Sequence, residues 1–203
     1  MSSLISLTPA NLAAQKNLKI ANLDLNKSLT RYEDTGKGFI ALGNFRINKN
    51  AFKLLLKGEL TTNGVAVNEF NKVANYSLGI QLEEEKDLDA FEKLNDFLSK
   101  FLEENLPDAD NWDLNRIVKD DRIYLKLKTD AKKLFQFSSN VKLAPKSLSE
   151  SGLFRGQKVE VVAEIAPYFN FMDRKAGLSI TPRSIKFDVE EEEEPVPKRV
   201  KKD

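Results

Sequence analysis

The chain has 203 residues, long enough to bury a sizeable core in one principal domain, and 41% of them are hydrophobic. It contains neither cysteine nor histidine, which excludes disulfides, zinc sites built on thiolate or imidazole, and every nucleophile–base pair that needs Cys or His. Charged residues reach 31% yet nearly cancel, to a net +1.

That cancellation hides a segregated pattern. Residues 188–194 hold six acids, and residues 195–203 hold four basic residues and one acid. Taken from the totals of 32 and 31, these leave 28 basic and 24 acidic residues in 1–187, a net +4. The body is therefore mildly basic, and the tail is acidic and then basic. The first residues lack an apolar core of signal-peptide length, and no window is long and apolar enough to cross a membrane as a helix. No membrane partner is expected.

In chain order, residues 1–30 read as a polar extension with scattered leucines. Pro9 can open a short helix through Ala13, Ala14 and Leu18. Residues 37–48 predict a strand with Phe39, Ala41, Phe45 and Ile47 on one parity, and Gly43 in its middle marks a bulge or bend. Phe52, Leu54 and Leu56 alternate with Lys53 and Lys57, a second strand with a basic outer face. Asn63-Gly64, between Leu60 and Val65, is a tight-turn signal, after which Val65 and Val67 start a third strand.

Tyr76, Leu78, Ile80 and Leu82 predict a further strand. Leu88, Phe91, Leu94, Leu98, Phe101 and Leu102 then recur at steps of three and four, which places one apolar stripe on a long helix. Asp87 is its expected N-cap, and Pro107 bars its extension. Asp108, Asp110 and Asp113 read as a solvated loop that resembles no complete ion-binding loop, so no metal and no other cofactor is expected. Trp112, in that loop, is expected to pack against the domain.

Ile123, Leu125 and Leu127 alternate with Tyr124, Lys126 and Lys128, another half-buried strand. Lys132 and Lys133 lead into Phe135 and Phe137, and residues 138–151 read as a loop. Val159, Val161, Ala163 and Ile165 begin the last hairpin. Its return strand carries Leu178 and Ile180, then Ile185 and Phe187, with Pro182 marking an edge or a bulge between them. The connection holds Tyr168, Phe169, Phe171, Arg174 and Lys175, rings next to cations. Bases stack on rings while cations follow phosphates, so this mixture suits a single-stranded nucleic acid. The same rings also suit a core cap, and the pattern does not separate the two uses.

The expected architecture is mainly β with one inserted helix: an antiparallel barrel of the OB type over 31–187, an N-terminal extension over 1–30, and a disordered tail over 188–203. A β-sandwich is the competing arrangement. The order Tyr76–Leu82, long helix, Ile123-Tyr-Leu-Lys-Leu-Lys, Gly156-Gln-Lys-Val-Glu-Val, Pro167-Tyr168 and Ala176-Gly-Leu-Ser-Ile resembles the OB-fold single-stranded-DNA-binding replication proteins of short-tailed phages and their large-DNA-virus relatives. The resemblance covers 75–190 and rests on order and pattern, without a unique motif. It implies a DNA groove, an acidic tail that binds replication proteins and competes with DNA, and no enzymatic activity. The ending departs from the phage pattern, whose tails finish acidic with a terminal aromatic, so no role is carried over to that aromatic.

The residues assigned to nucleic acid on this reading are Lys53, Lys57, Tyr124, Lys126, Lys128, Lys132, Lys133, Phe135, Tyr168, Phe169, Phe171, Arg174 and Lys175. Glu190, Glu191, Glu192, Glu193 and Glu194 form the regulatory acidic run. Pro195-Val-Pro-Lys198-Arg199-Val-Lys201-Lys202 has the form of a one-part nuclear import signal, which implies an import carrier as partner and a nuclear site of action, in a host nucleus if the protein is viral. The alternative is a nuclear acidic-tailed histone chaperone or similar interaction module, which has no need of a basic, aromatic strand face. A carboxylate–metal nuclease is the weakest option, because no close carboxylate set falls at strand ends.

Overall fold

The computed structural model describes residues 5–56, 60–70, 73–82, 84–127, 135–136, 142–143, 155–156 and 158–187; for 60–70, 73–75, 135–136, 142–143 and 187 it describes the backbone alone. The chain is mainly β, and its sheets do not close into a barrel. The large sheet runs β1 (Ile5–Leu7), β5 (Phe52–Leu56), β12 (Val159–Asn170), β13 (Lys175–Phe187), β9 (Arg122–Leu127), β7 (Val73–Leu82) and β6 (Leu60–Phe70). Two short strands add to it, β3 (Ile40–Leu42) on β12 and β8 (Asp113–Asn115) on β13. A barrel closes by pairing its outer strands. Here β1 and β6 stay at the two ends of the path, and the inner face is covered by other elements, which corrects the expected OB barrel.

Three helices are found among the described residues: the short one at Pro9 and the long one that carries the Leu88–Leu102 stripe were expected, and the third was not. Helix α1 (Pro9–Ala13) opens at Pro9 as read, with the Asn11 N–H donating to Thr8 Oγ1 at 3.3 Å. It ends before Leu18, which starts β2 (Leu18–Ala21). Helix α2 (Leu25–Thr35) was not expected. Asp24 caps it by accepting from the Lys27 N–H at 3.0 Å, and Gly36 ends it in the left-handed region at φ 60°. Helix α3 (Glu85–Asn105) buries Phe91, Leu94, Leu98 and Leu102 as its spacing predicts. Its cap position is Glu84 rather than Asp87. Asp87 lies buried in the first turn, where burial first and the Glu84 charge second push its carboxyl above the usual range.

Strand alternation sets the two faces of the sheet. Along β12, Val159, Val161, Ala163, Ile165 and Phe169 are buried, as are Ile123, Leu125 and Leu127 of β9 and Leu78, Ile80 and Leu82 of β7. These form the inner face, where Phe101 of α3 meets Phe169 with ring centroids 6.0 Å apart. Asn63-Gly64 is a bulge rather than a turn: β6 continues through it, and the register against β7 shifts between Thr62 and Gly64. Both uses favour Gly for its backbone freedom, and only the pairing partner separates them.

Gly43 divides the predicted 37–48 strand into β3 and β4 (Asn44–Ile47), and β4 turns away to pair with β2. A Cβ on Gly43 would stand 2.5 Å from Ile20 Cγ2 and 3.0 Å from Pro167 Cγ, so only glycine fits this crossing. The Gly43 N–H donates to Pro167 O at 3.0 Å. A bulge also lies beside Pro182, where Val162 pairs with Ser184 but Ala163 with Pro182, leaving Arg183 as the extra residue.

Candidate nucleic-acid interface

Tyr124 and Tyr168 reach the same place. Each sits on the outward parity of its strand, and both line a cleft of about 570 Å³ with Ser77, Asn115, Arg116, Ile117, Lys119 and Leu178. Each tyrosine is paired across its strand with a glycine, Tyr124 with Gly79 of β7 and Tyr168 with Gly177 of β13. The Tyr168 ring lies over Gly177, and its hydroxyl accepts from Asn115 Nδ2 at 2.8 Å. The ring is thus laid flat on the sheet and tethered at its far end. Tyr124 is 42% exposed.

Cations gather around the two rings. Lys126 stands in register with Ser77, a residue of the cleft, and Arg116 and Lys119 line the cleft itself. Lys175 lies two residues from Gly177 on the same face, opposite Asn170 and in register with Asp113. Arg116 is 3.2 Å from Glu92, whereas no ion pair to Lys119, Lys126 or Lys175 is found among the described residues. Further along the outer face the charges are matched, Lys186 with Glu160 at 3.3 Å and Arg183 with Glu164 at 2.5 Å. Cations without an ion pair among the described residues, Lys119, Lys126 and Lys175, therefore lie toward the tyrosine end.

Phe169 and Phe171 do not belong to this surface. They are 0% and 1% exposed, which overturns their assignment to base stacking. The reason is parity: Tyr168 faces out, so Phe169 faces in. Phe171 turns under the hairpin tip, where it stacks on Phe39 at 5.2 Å and meets the edge of Trp112 at 5.1 Å and 87°. Tyr32 of α2 joins this group at 6.4 Å from Phe171. The aromatic connection is part of the main core, and it pins α2 and the Trp112 loop.

Arg174 is committed elsewhere. Its guanidinium pairs with Asp108 at 2.7 Å, and its carbonyl accepts from the Asp113 N–H at 2.8 Å. The acidic loop therefore buttresses the hairpin tip instead of being solvated throughout. Asn170 holds the tip from inside, its Oδ1 accepting from the Met172 and Asp173 N–H groups and its Nδ2 donating to Asp173 Oδ2 at 2.7 Å. Lys53 also faces outward, but on β5, whose pairing with β12 covers Val161 to Ala163 and leaves it away from the tyrosines.

Lys57, Lys128, Lys132, Lys133, the Glu190–Glu194 run and the basic residues Lys198, Arg199, Lys201 and Lys202 lie outside the described residues. Phe135 begins β10 (Phe135–Gln136), which pairs with β11 (Lys142–Leu143), and nothing further of its side chain is described. Sequence reasoning missed Asn115, Arg116, Lys119 and both glycines. Their role depends on strand register, which no local spacing encodes. No group of acids that could hold a metal ion is found among the described residues. No protein-family model matches this chain, and no curated protein sequence matches it either.

Proposed function

We propose that this is a sequence-independent single-stranded-DNA-binding protein, acting in DNA replication, recombination or repair, with its acidic tail modulating access to DNA and to replication proteins. The observation that carries the reading is the pair of outward tyrosines in one cation-lined cleft, Tyr168 tethered flat by Asn115. A ring laid flat on the sheet offers every base the same π-face, and Arg116, Lys119, Lys126 and Lys175 supply charge for the backbone without reading sequence. Stacking on each ring contributes about 1–3 kcal/mol per base, and the electrostatic share falls steeply with salt.

Side-by-side titrations of a single-stranded oligonucleotide, a duplex and core histones test this directly. The expected order is single strand tightest, with duplex clearly weaker at moderate salt. Equal affinity for duplex and single strand, or preference for histones, refutes the reading.

The tail extends the proposal to the nucleus. Lys198, Arg199, Lys201 and Lys202 follow Pro195 and Pro197, and prolines reduce the conformational entropy a peptide loses on docking to a carrier. Residues 190–203 fused to a reporter too large to diffuse through nuclear pores should enter the nucleus, and the same fusion with Lys198→Ala and Arg199→Ala should not. Cytoplasmic retention of the unmodified fusion rules out the import role.

A further inference from the structure

A second cluster of cations lies on the other layer of the molecule. Strands β2 and β4 pair antiparallel, and in that register Lys19 stands directly opposite Arg46. Two like charges facing each other across strands destabilise a pair. No ion pair to Lys19, Arg46 or the neighbouring Lys49 is found among the described residues, although Glu104 of α3 lines a neighbouring cleft with Lys19. Asp24, the nearest acid in the sequence, is occupied in capping α2.

These three cations line a cleft of about 710 Å³ together with Asn17, Asn22, Asn48, Ile20 and Ala21. Among the described residues, no carboxylate and no aromatic ring lines it. Its rim is shaped by residues in the left-handed region, Asn22 at φ 59°, Asn48 at 49° and Lys49 at 71°. The last two form a two-residue turn closed by reciprocal backbone bonds of 3.0 and 2.9 Å between Ile47 and Asn50. The turn fixes where Lys49 leaves the backbone relative to Arg46.

The side on which the cleft lies follows from β12. Pro167 and Phe169 share the inner parity, and Pro167 Cγ packs at the Gly43 crossing that leads into β4. Phe45 of β4 then meets Phe97 of α3 with ring centroids 6.1 Å apart. The β2–β4 pair therefore belongs to the layer of α3, whereas Tyr168 faces the opposite side of the sheet.

We propose that the Lys19–Arg46–Lys49 cleft is a second nucleic-acid site, which takes the phosphate backbone of a strand other than the one on the tyrosines. The donor set carries the assignment: two ammonium groups, a guanidinium and three side-chain amides match phosphate and sugar oxygens. With no ring to stack on, the cleft is indifferent to whether the bases are paired. It thus differs in kind from the tyrosine surface and rests on separate residues. A bound phosphate also relieves the Lys19–Arg46 opposition, so ligand binding and local stability are linked.

The test compares the full chain with a Lys19→Ala, Arg46→Ala, Lys49→Ala triple variant and with Tyr168→Ala, each titrated with a short labelled duplex over a range of salt. The triple variant is expected to keep or raise its melting temperature, because it removes a repulsion. Its duplex affinity should fall about tenfold, and the slope of log affinity against log salt should shrink by about 0.9 for each phosphate that is no longer neutralised. Tyr168→Ala should lower single-strand affinity while changing duplex affinity and its salt slope far less than the triple variant does. Unchanged duplex affinity and slope in the triple variant, or no duplex binding by the unaltered protein, overturns the site. Acetylation footprinting adds the occupant's identity: duplex should protect Lys19 and Lys49. Protection by a glutamate-rich peptide in place of duplex assigns the cleft to an acidic protein segment and also overturns the proposal. If Tyr168→Ala leaves single-strand binding intact, the tyrosine surface fails while this cleft stands or falls on its own variant.

Discussion

Tyr168 and Gly177 face each other across β12 and β13 so closely that a methyl on Gly177 would stand 2.8 Å from the tyrosine hydroxyl and 2.9 Å from Cζ. The atom that must yield is the far end of a side chain, so Gly177→Ala is expected to tilt the ring off the sheet and break the Asn115 hydrogen bond while leaving the backbone in place. Single-strand affinity should drop by the value of one stacked base, about 1–3 kcal/mol, with little change in melting temperature. Anisotropy titrations beside a thermal melt check this, and unchanged affinity would show that the ring is no platform.

Neighbouring positions on one strand should separate binding from stability. Tyr124→Ala and Tyr168→Ala are expected to weaken single-strand binding far more than duplex binding, at modest cost to the fold. Phe169→Ala empties a fully buried site against Phe101 and Trp112 and should cost about 3–5 kcal/mol of stability. Denaturant unfolding distinguishes them: a destabilisation by Tyr168→Ala as large as that by Phe169→Ala contradicts the assignment of faces.

Asp87 predicts a pH dependence with a definite sign. Burial and Glu84 raise its carboxyl in the folded state above the ordinary value of 3.8. Between the ordinary and the raised value the native state holds more protons than the unfolded chain, so this group's contribution to stability falls as pH rises through that window. Asp87→Asn should therefore melt higher than the unaltered protein at neutral pH, with the advantage disappearing toward low pH. Melting curves whose difference stays constant across the acid range count against this account.

The acidic run should oppose DNA binding. A tethered segment acts at millimolar local concentration, and Glu190 begins three residues beyond the end of β13. Changing Glu190–Glu194 to glutamine keeps the terminal lysines and should tighten single-strand binding, more so at low salt. Unchanged or weaker affinity in that variant removes the tail from the mechanism.

The faces of the sheet were legible in the chain because their signal is local. Ile123, Leu125 and Leu127 alternate with Tyr124 and Lys126, and burial follows that alternation residue by residue. Helix α3 was legible for the same reason. Helix α2 was not: only Leu25 is fully buried in it, and its hold on the fold comes through Tyr32 meeting Phe171, a contact across well over a hundred residues. Tyr168 and Phe169 both read as stacking groups until the parity of β12 separated them. The cleft itself was illegible, since Asn115, Lys119, Tyr124 and Tyr168 come from three strands and a loop whose registers are set by tertiary packing.

Arg183 is the surplus residue of the last hairpin, and it changes the phase in which β13 is read. Before it, Ala176, Leu178 and Ile180 face inward on even numbers; after it, Ile185 faces inward on an odd one. The strand thus carries two reading frames joined at one position, and Pro182 sits at the join. Removing that single residue would close the bulge into a regular ladder, with Ser184 on the outer face directly after Pro182 and Ile185 still facing inward. Length, and not only composition, is therefore under constraint here: the bulge can absorb the loss of one residue between the two frames, but the loss of a second would turn Ile185 toward water.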